Sequence, residues 1–219
     1  KARQQEHRQQ ERLLAVGNPQ FDQAAFAGLD DVPIMAQAAA SATRNYEEAV
    51  LLVGAQATRT TLMRELARAD VVHLGMHYVP DAHSPMLSKL LLASEKNSGR
   101  SGALQLYELY QLKLKRPRLV VLAACHTRGE EYFGGEGAIG ISRPFEAAGI
   151  PLVIASLWRV DAAATAELMT AFHRFRKQPG QTTVEALRKA QLELSSRADG
   201  YSHPYYWAAF IAVGGNSNF

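Results

Sequence analysis

Cys125 and His77 are the residues whose types and surroundings could do covalent chemistry in this chain. Cys125 is the only cysteine, and it follows Leu119-Val120-Val121-Leu122-Ala123-Ala124, a run without a polar side chain. Such a run is the pattern of a parallel strand buried on both faces. The C-terminal end of a strand of that kind is where open α/β sheets place ligands and chemistry. His77 ends a second apolar run, Val71-Val72-His73-Leu74-Gly75-Met76-His77. A cysteine nucleophile needs a base to form thiolate and donors to receive the oxyanion of the tetrahedral intermediate. If the two strands are neighbours, thiol and imidazole emerge at one sheet edge, as a Cys/His dyad requires. The competing reading of Cys125 is an inert core thiol, the common fate of free cysteine.

Other chemistries fit less well. His73 shares a face with His77 but sits deeper, which suits a hydrogen-bonded core histidine, and His126 would point away from its neighbour Cys125 if the strand continued. The seven histidines reproduce neither an H-E-x-x-H pattern nor paired Cys/His ligands, so no metal is expected. There is no G-x-S-x-G elbow for a serine nucleophile, and Ser156 lies before the end of its strand. Gly134-Gly135-Glu136-Gly137 lacks the lysine and Ser/Thr of a phosphate loop, and Gly17 and Gly54 do not make a dinucleotide fingerprint. No cofactor is expected.

The elements that must position the dyad can be read along the chain. Residues 1–12 are polar and charged and read as a linker or frayed segment. Leu13 to Val16 predicts a strand closed by Gly17-Asn18-Pro19, and Pro33 to Arg44 a helix. Val50 to Gly54 predicts a second strand, Thr60 to Ala69 a helix capped by Thr58 or Thr61, and Val71 to His77 a third strand. Tyr78 to Gly102 reads as loops around one hairpin segment, Leu87 to Leu92, and Leu106 to Leu114 contains a short helix. Residues 128–140 read as a glycine-rich surface loop, followed by a helix from Ile141 to Ala148 stopped by Gly149. Pro151 to Trp158 predicts a buried strand, Asp161 caps a helix running past Phe175, Thr182 or Thr183 starts another, and Trp207 to Val213 is the last strand. Alternating strands and helices of this kind imply a parallel sheet covered on both faces.

Composition sets the boundaries. At 219 residues, 47% apolar and 21% charged, the chain suits one globular core, and no apolar run approaches the roughly 20 residues of a membrane span. Net charge +3, with lysine and arginine dispersed, argues against direct nucleic-acid binding. One cysteine and a polar N-terminus without a signal pattern suit a cytoplasmic protein. The chain opens on Lys1 rather than Met, as a processed product or part of something longer would.

Several short stretches, in order, resemble the CHAT domain, a branch of the caspase-like cysteine peptidases akin to separase. They are Val71 to His77, Leu119 to Thr127, Gly135-Glu136-Gly137 leading into Arg143-Pro144-Phe145, Ser156-Leu157-Trp158-Arg159-Val160-Asp161 with Thr165, and His203-Pro204-Tyr205-Tyr206-Trp207-Ala208-Ala209-Phe210. The resemblance covers Leu13 to Gly215, giving a domain over 13–219 that lacks one or two strands such domains usually carry at their start. It implies a caspase-like three-layer α/β/α sandwich around a mostly parallel sheet of about six strands. It also implies a bacterial cysteine endopeptidase working through a thioester acyl-enzyme, with His77 as general base, Cys125 as nucleophile, and the backbone N–H groups of Tyr78 and Cys125 as oxyanion hole. Asp161 would line the first specificity pocket and select a basic P1 residue. The expected partners are a protein or peptide substrate, an upstream tetratricopeptide-type helical-repeat domain, and an activating protein or ribonucleoprotein. The alternative is a catalytically silent caspase-like interaction or regulatory module. Three positions depart from the family pattern: Tyr78 stands where glycine usually follows the histidine, Arg159 replaces a proline, and Ala162 replaces an acidic residue.

Overall fold

The computed structural model describes residues 10–81, 83–95, 102–123 and 137–215, with side chains of 137–139 excepted. Strands β1 (Arg12–Pro19), β2 (Glu48–Gly54), β3 (Val71–Gly75), β7 (Leu119–Leu122), β8 (Leu152–Ser156) and β9 (Phe210–Gly214) form one sheet in the order β2-β1-β3-β7-β8-β9. All pairs in it are parallel except β8 with β9. A smaller antiparallel sheet, β4 (Tyr78–Val79), β5 (Lys89–Leu91) and β6 (Ala103–Gln105), stands beside it.

The strands divide their side chains between two cores, as a period of two requires. Leu14, Val16, Val72, Leu74, Val120, Leu122 and Val153 face helices α2 (Arg59–Leu66), α3 (Leu106–Tyr110) and α4 (Gly137–Ala147), where Leu62, Leu109 and Phe145 meet them. Leu13, Ala15, Val71, Leu119, Val121, Leu152 and Ile154 face α1 (Pro33–Thr43), α5 (Ala162–Arg176) and α6 (Thr183–Ser195), with Met35, Leu168, Phe172 and Leu187 opposite. Burial on both faces is why these strands read as continuous apolar runs. The result is the expected three-layer α/β/α sandwich.

Local chemistry sets the element ends. Thr58 caps α2 in a reciprocal box with Thr61, and Thr182 does the same for α6 with Glu185. Gly17 is required by close approach: a Cβ there would lie 2.6 Å from Ala36 Cα and from Met35 O, so α1 can rest on β1 only over a glycine.

Several boundaries differ from the sequence reading. The third strand stops at Gly75 instead of reaching His77, because the chain turns away from the main sheet into β4. Strand β5 lies within the hairpin segment Leu87 to Leu92, but its antiparallel partners β4 and β6, of two and three residues, are too short to show periodicity. Helix α4 starts at Gly137, four residues before Ile141, and continues through Pro144. The last strand starts at Phe210, since Pro204–Trp207 forms a short helix, α7. Glu11 and Arg12, read as the end of a polar lead-in, are built into the body: Glu11 is buried against Arg176, and Arg12 opens β1.

Candidate active site

The ends of four parallel strands meet at a cavity of about 580 Å³. Its wall includes Asn18 and Pro19 from β1, Gly75 to His77 after β3, Ala123 after β7, and Arg159 to Ala162 after β8. This is the C-terminal edge of the parallel sheet, where strand termini leave side chains and backbone groups unclaimed by the ladder. Strands β3 and β7 are direct neighbours, with His73 opposite Val121 and Leu74 opposite Leu122. The adjacency that a dyad needs is therefore present at the level of the strands. Cys125 and His126 lie outside the described residues.

His77 is buried to 7% exposure at the inner wall. Its Nε2 lies 2.8 Å from the backbone oxygen of Asp30. A carbonyl can only accept, so Nε2 carries the hydrogen and, in the neutral ring, Nδ1 is the lone-pair nitrogen. Phe21 packs edge-on against the imidazole at 5.1 Å between ring centroids. Burial pushes the His77 pKa below the ordinary histidine value, opposed by the Asp30 carbonyl and by the charges of Asp31 and Asp30. The ring is thus a neutral base of fixed tautomer, the form in which a histidine takes up a proton.

Asp30 and Phe21 belong to the segment between β1 and α1, which sequence reading passed over. It has no helical or strand period, and its contribution to the site is a backbone oxygen, which no residue type announces. The segment is anchored by a small core of Phe21, Leu29, Leu91 and Ala103, and by the Asp22 carboxylate, which accepts the N–H groups of Ala24 and Ala25.

Tyr78 keeps its side chain out of the cavity. The ring is buried among Leu90, Leu104 and their neighbours in the core on the α2–α4 side, and burial raises its pKa against an opposing hydrogen bond with Ser88. The ladder bond from Leu91 N–H to His77 O makes those two the hydrogen-bonded pair of the antiparallel ladder. Tyr78, one residue on and opposite Leu90, therefore aims its N–H away from β5. The room that the phenol needs comes from the core rather than from the substrate side.

Asp161 lies on the cavity wall, and its Oδ1 accepts the N–H of Ala164 at 2.9 Å, capping α5. The carboxylate is exposed, not buried, so any selectivity it exerts does not come from an unpaired buried charge. Asp30, also exposed, and Arg159 share the wall with it. Trp158 donates its indole N–H to Tyr205 O at 3.0 Å, tying the segment after β8 to α7.

His73 is a core residue. It is fully buried, and its Nδ1 lies 3.2 Å from Nε2 of His173 on α5. His173 was not singled out by sequence, because a lone histidine in an amphipathic helix carries no distinguishing pattern.

The model of the CHAT domain family matches residues 1–215. This chain belongs to the CHAT domain family. Among curated proteins, the CHAT chain is 28% identical over 197 residues to Tetratricopeptide repeat protein 28 of Homo sapiens, covering 74% of this chain and 8% of that protein. The Mus musculus protein of the same name is 24% identical over 199 residues, with 74% and 8% covered. The chain thus spans only 8% of the length of these relatives. Among solved structures, the fold is similar to the Arg specific cysteine proteinase gingipain R, with TM-score 0.61 and 12% identity over 98% of this chain and 48% of that one. It is also similar to separase in the Saccharomyces cerevisiae separase–securin complex, with TM-score 0.53 and 12% identity over 94% of this chain and 12% of that one. The CHAT domain here therefore has the fold of the caspase and separase clan of cysteine peptidases.

Proposed function

We propose that this CHAT domain takes a peptide segment into the His77 cavity and cleaves it as a cysteine endopeptidase. The observation that carries this reading is the fixed imidazole of His77, two residues past the end of β3: its Nε2 is held by the Asp30 carbonyl, and β3 pairs with β7, after which Cys125 follows in sequence. His77 Nδ1 would take the Cys125 proton, the thiolate would attack the scissile carbonyl, and the N–H groups of Tyr78 and Cys125 would receive the oxyanion. Breakdown would release the amine and leave a thioester, which water then hydrolyses. Ala123 on the cavity wall, two residues before Cys125, supports this assignment of the nucleophile. The carboxylates of Asp30 and Asp161, set against the single guanidinium of Arg159 among the described lining residues, favour a cationic P1 side chain. Gingipain R, of similar fold, is described as Arg specific.

A silent interaction or regulatory module is the second reading, and it asks less of the chain. Fold, cavity and a positioned histidine suffice for it, whereas the peptidase also needs Cys125, which lies outside the described residues. The relatives named for tetratricopeptide repeats support a module working beside helical repeats in a longer polypeptide; an activating protein or ribonucleoprotein partner belongs to the same proposal. A cytoplasmic location belongs to the same proposal; among the described residues, no helix is long and apolar enough to cross a membrane.

The deciding experiment compares the parent with Cys125→Ala on candidate protein substrates. Loss of the cut supports the dyad, and an unchanged cut removes it. A matched peptide set with Arg, Lys, Asp or Leu at P1 tests specificity, and preference for Asp or Leu would overturn the basic pocket.

A further inference from the structure

The tautomer of His77 depends on a carbonyl at the end of an irregular segment, so something must hold that segment in place. Beyond the Phe21–Leu29 cluster, one polar clamp spans it. Asn18, next to last in β1, accepts the N–H of Val32 through its side-chain oxygen at 2.9 Å. Val32 is two residues after Asp30 and is the N-cap residue of α1, which has no side-chain cap of its own. Asn18 has φ 46°, the only non-glycine residue with positive φ among those described. Asparagine is among the few side chains that tolerate this left-handed conformation. That backbone turn lets a strand residue aim its amide back across the cavity mouth.

We propose that Asn18 is a positioning residue for His77: by clamping Val32 it fixes the Asp30 carbonyl that holds the imidazole with Nδ1 as the proton acceptor. The inference about catalysis rests on the peptidase reading above, but the inference about the ring does not. Without the clamp, the exit of the segment is held among the described residues by apolar packing, that of Phe21 and Leu29 and of Val32 against the α1-side core, which restricts position more loosely than a directed hydrogen bond. The carbonyl then drifts, and the neutral ring divides between its two tautomers.

Two substitutions separate the side-chain acceptor from the backbone conformation. Asn18→Gly keeps the left-handed backbone and deletes the acceptor, whereas Asn18→Asp keeps both. Nitrogen-15 spectra of His77 in the 219-residue chain read the tautomer directly, and thermal unfolding shows that each variant is folded. The expected result is a dominant Nε2–H form in the parent and Asn18→Asp, and a mixed population in Asn18→Gly. On a cleaved peptide, Asn18→Gly should lose about five- to tenfold in kcat, the worth of one directed hydrogen bond, with KM near the parent value. A parent-like His77 tautomer in Asn18→Gly would overturn the proposal, as would a mixed tautomer in a folded Asn18→Asp. If the parent cleaves nothing, the peptidase reading fails while the spectra still decide the role of Asn18.

Discussion

His77 is held by a backbone carbonyl rather than a carboxylate, and burial dominates its proton affinity. Burial favours the neutral ring, while the Asp30 carbonyl and the two nearby aspartates pull the other way, leaving the pKa below the ordinary 6.5. A base of lowered pKa stays neutral to lower pH, so the acidic limb of kcat/KM for a cleaved peptide should lie below 6.5. Asp31→Asn removes one charge that favours the imidazolium and should move that limb further down. An upward movement, seen in the same rate profile, would contradict the assignment. Tyr78 shows how a departure from a family pattern can be absorbed: its ring is core, 7% exposed, on the side away from the cavity. Tyr78→Phe should cost about 1 kcal/mol through the lost Ser88 hydrogen bond. Tyr78→Gly should cost about 3–5 kcal/mol through lost aromatic burial. Both are measurable by denaturant unfolding.

Among the elements, helix α1 matters most to the site. It packs on β1 over Gly17, places Met35 against the cavity, and begins where the Asp30 segment ends. Gly17→Ala would put a methyl group 2.6 Å from the α1 backbone, forcing helix and strand apart. A loss of about 1–3 kcal/mol in denaturant unfolding is expected, the usual cost of overpacking. The expectation fails if Gly17→Ala unfolds with the parent. The small sheet β4-β5-β6 has a comparable role: Leu91 and Ala103 supply half of the apolar platform on which Phe21 and Leu29 seat the segment.

Across the whole molecule, a buried polar chain links Glu11, at the start of the fold, to His73 within β3. Glu11 receives two bonds from Arg176, at 2.7 and 2.8 Å, and Arg176 also donates to Tyr46 Oη at 3.3 Å. Tyr46 Oη lies 3.0 Å from His173 Nδ1, and His173 Nε2 lies 3.2 Å from His73 Nδ1. Arg176 donates to the Tyr46 oxygen, and the Tyr46–His173 and His173–His73 contacts carry the chain on to His73. At its end, His73 Nε2 has no hydrogen-bond partner among the described residues and lies close to Gly75. Burial lowers the His73 pKa to about 4, and His173 is pushed well below its usual range by burial, by His73 and by Arg176. Both rings are therefore neutral in the fold and take up protons more readily when unfolded. Stability is complete above the unfolded value of 6.5 and falls as pH drops toward 4. His73 alone should cost on the order of 2 kcal/mol at pH 5, and His73→Gln should flatten the slope of unfolding free energy against pH. Arg176→Met should cost about 3 kcal/mol, because it removes both short bonds to the buried Glu11 carboxylate and leaves it the Lys177 ammonium at 3.8 Å.

Much of this was legible in the sequence wherever a pattern repeats. The parallel strands declare themselves as apolar runs because both their faces are buried, and α5 and α6 are marked by the capping residues Asp161 and Thr182. Cys125 and His77 stand out because strand ends are where chemistry gathers, and the resemblance to CHAT domains followed from those same stretches. What only the tertiary structure decided are relations between residues far apart in sequence. Asp30 meets His77 across 47 positions through a backbone atom, and Glu11 meets Arg176 across 165. Such pairs have no period and no required residue type. They exist because folding brings strand ends and helix ends to the same place, where each polar group must find a partner out of water.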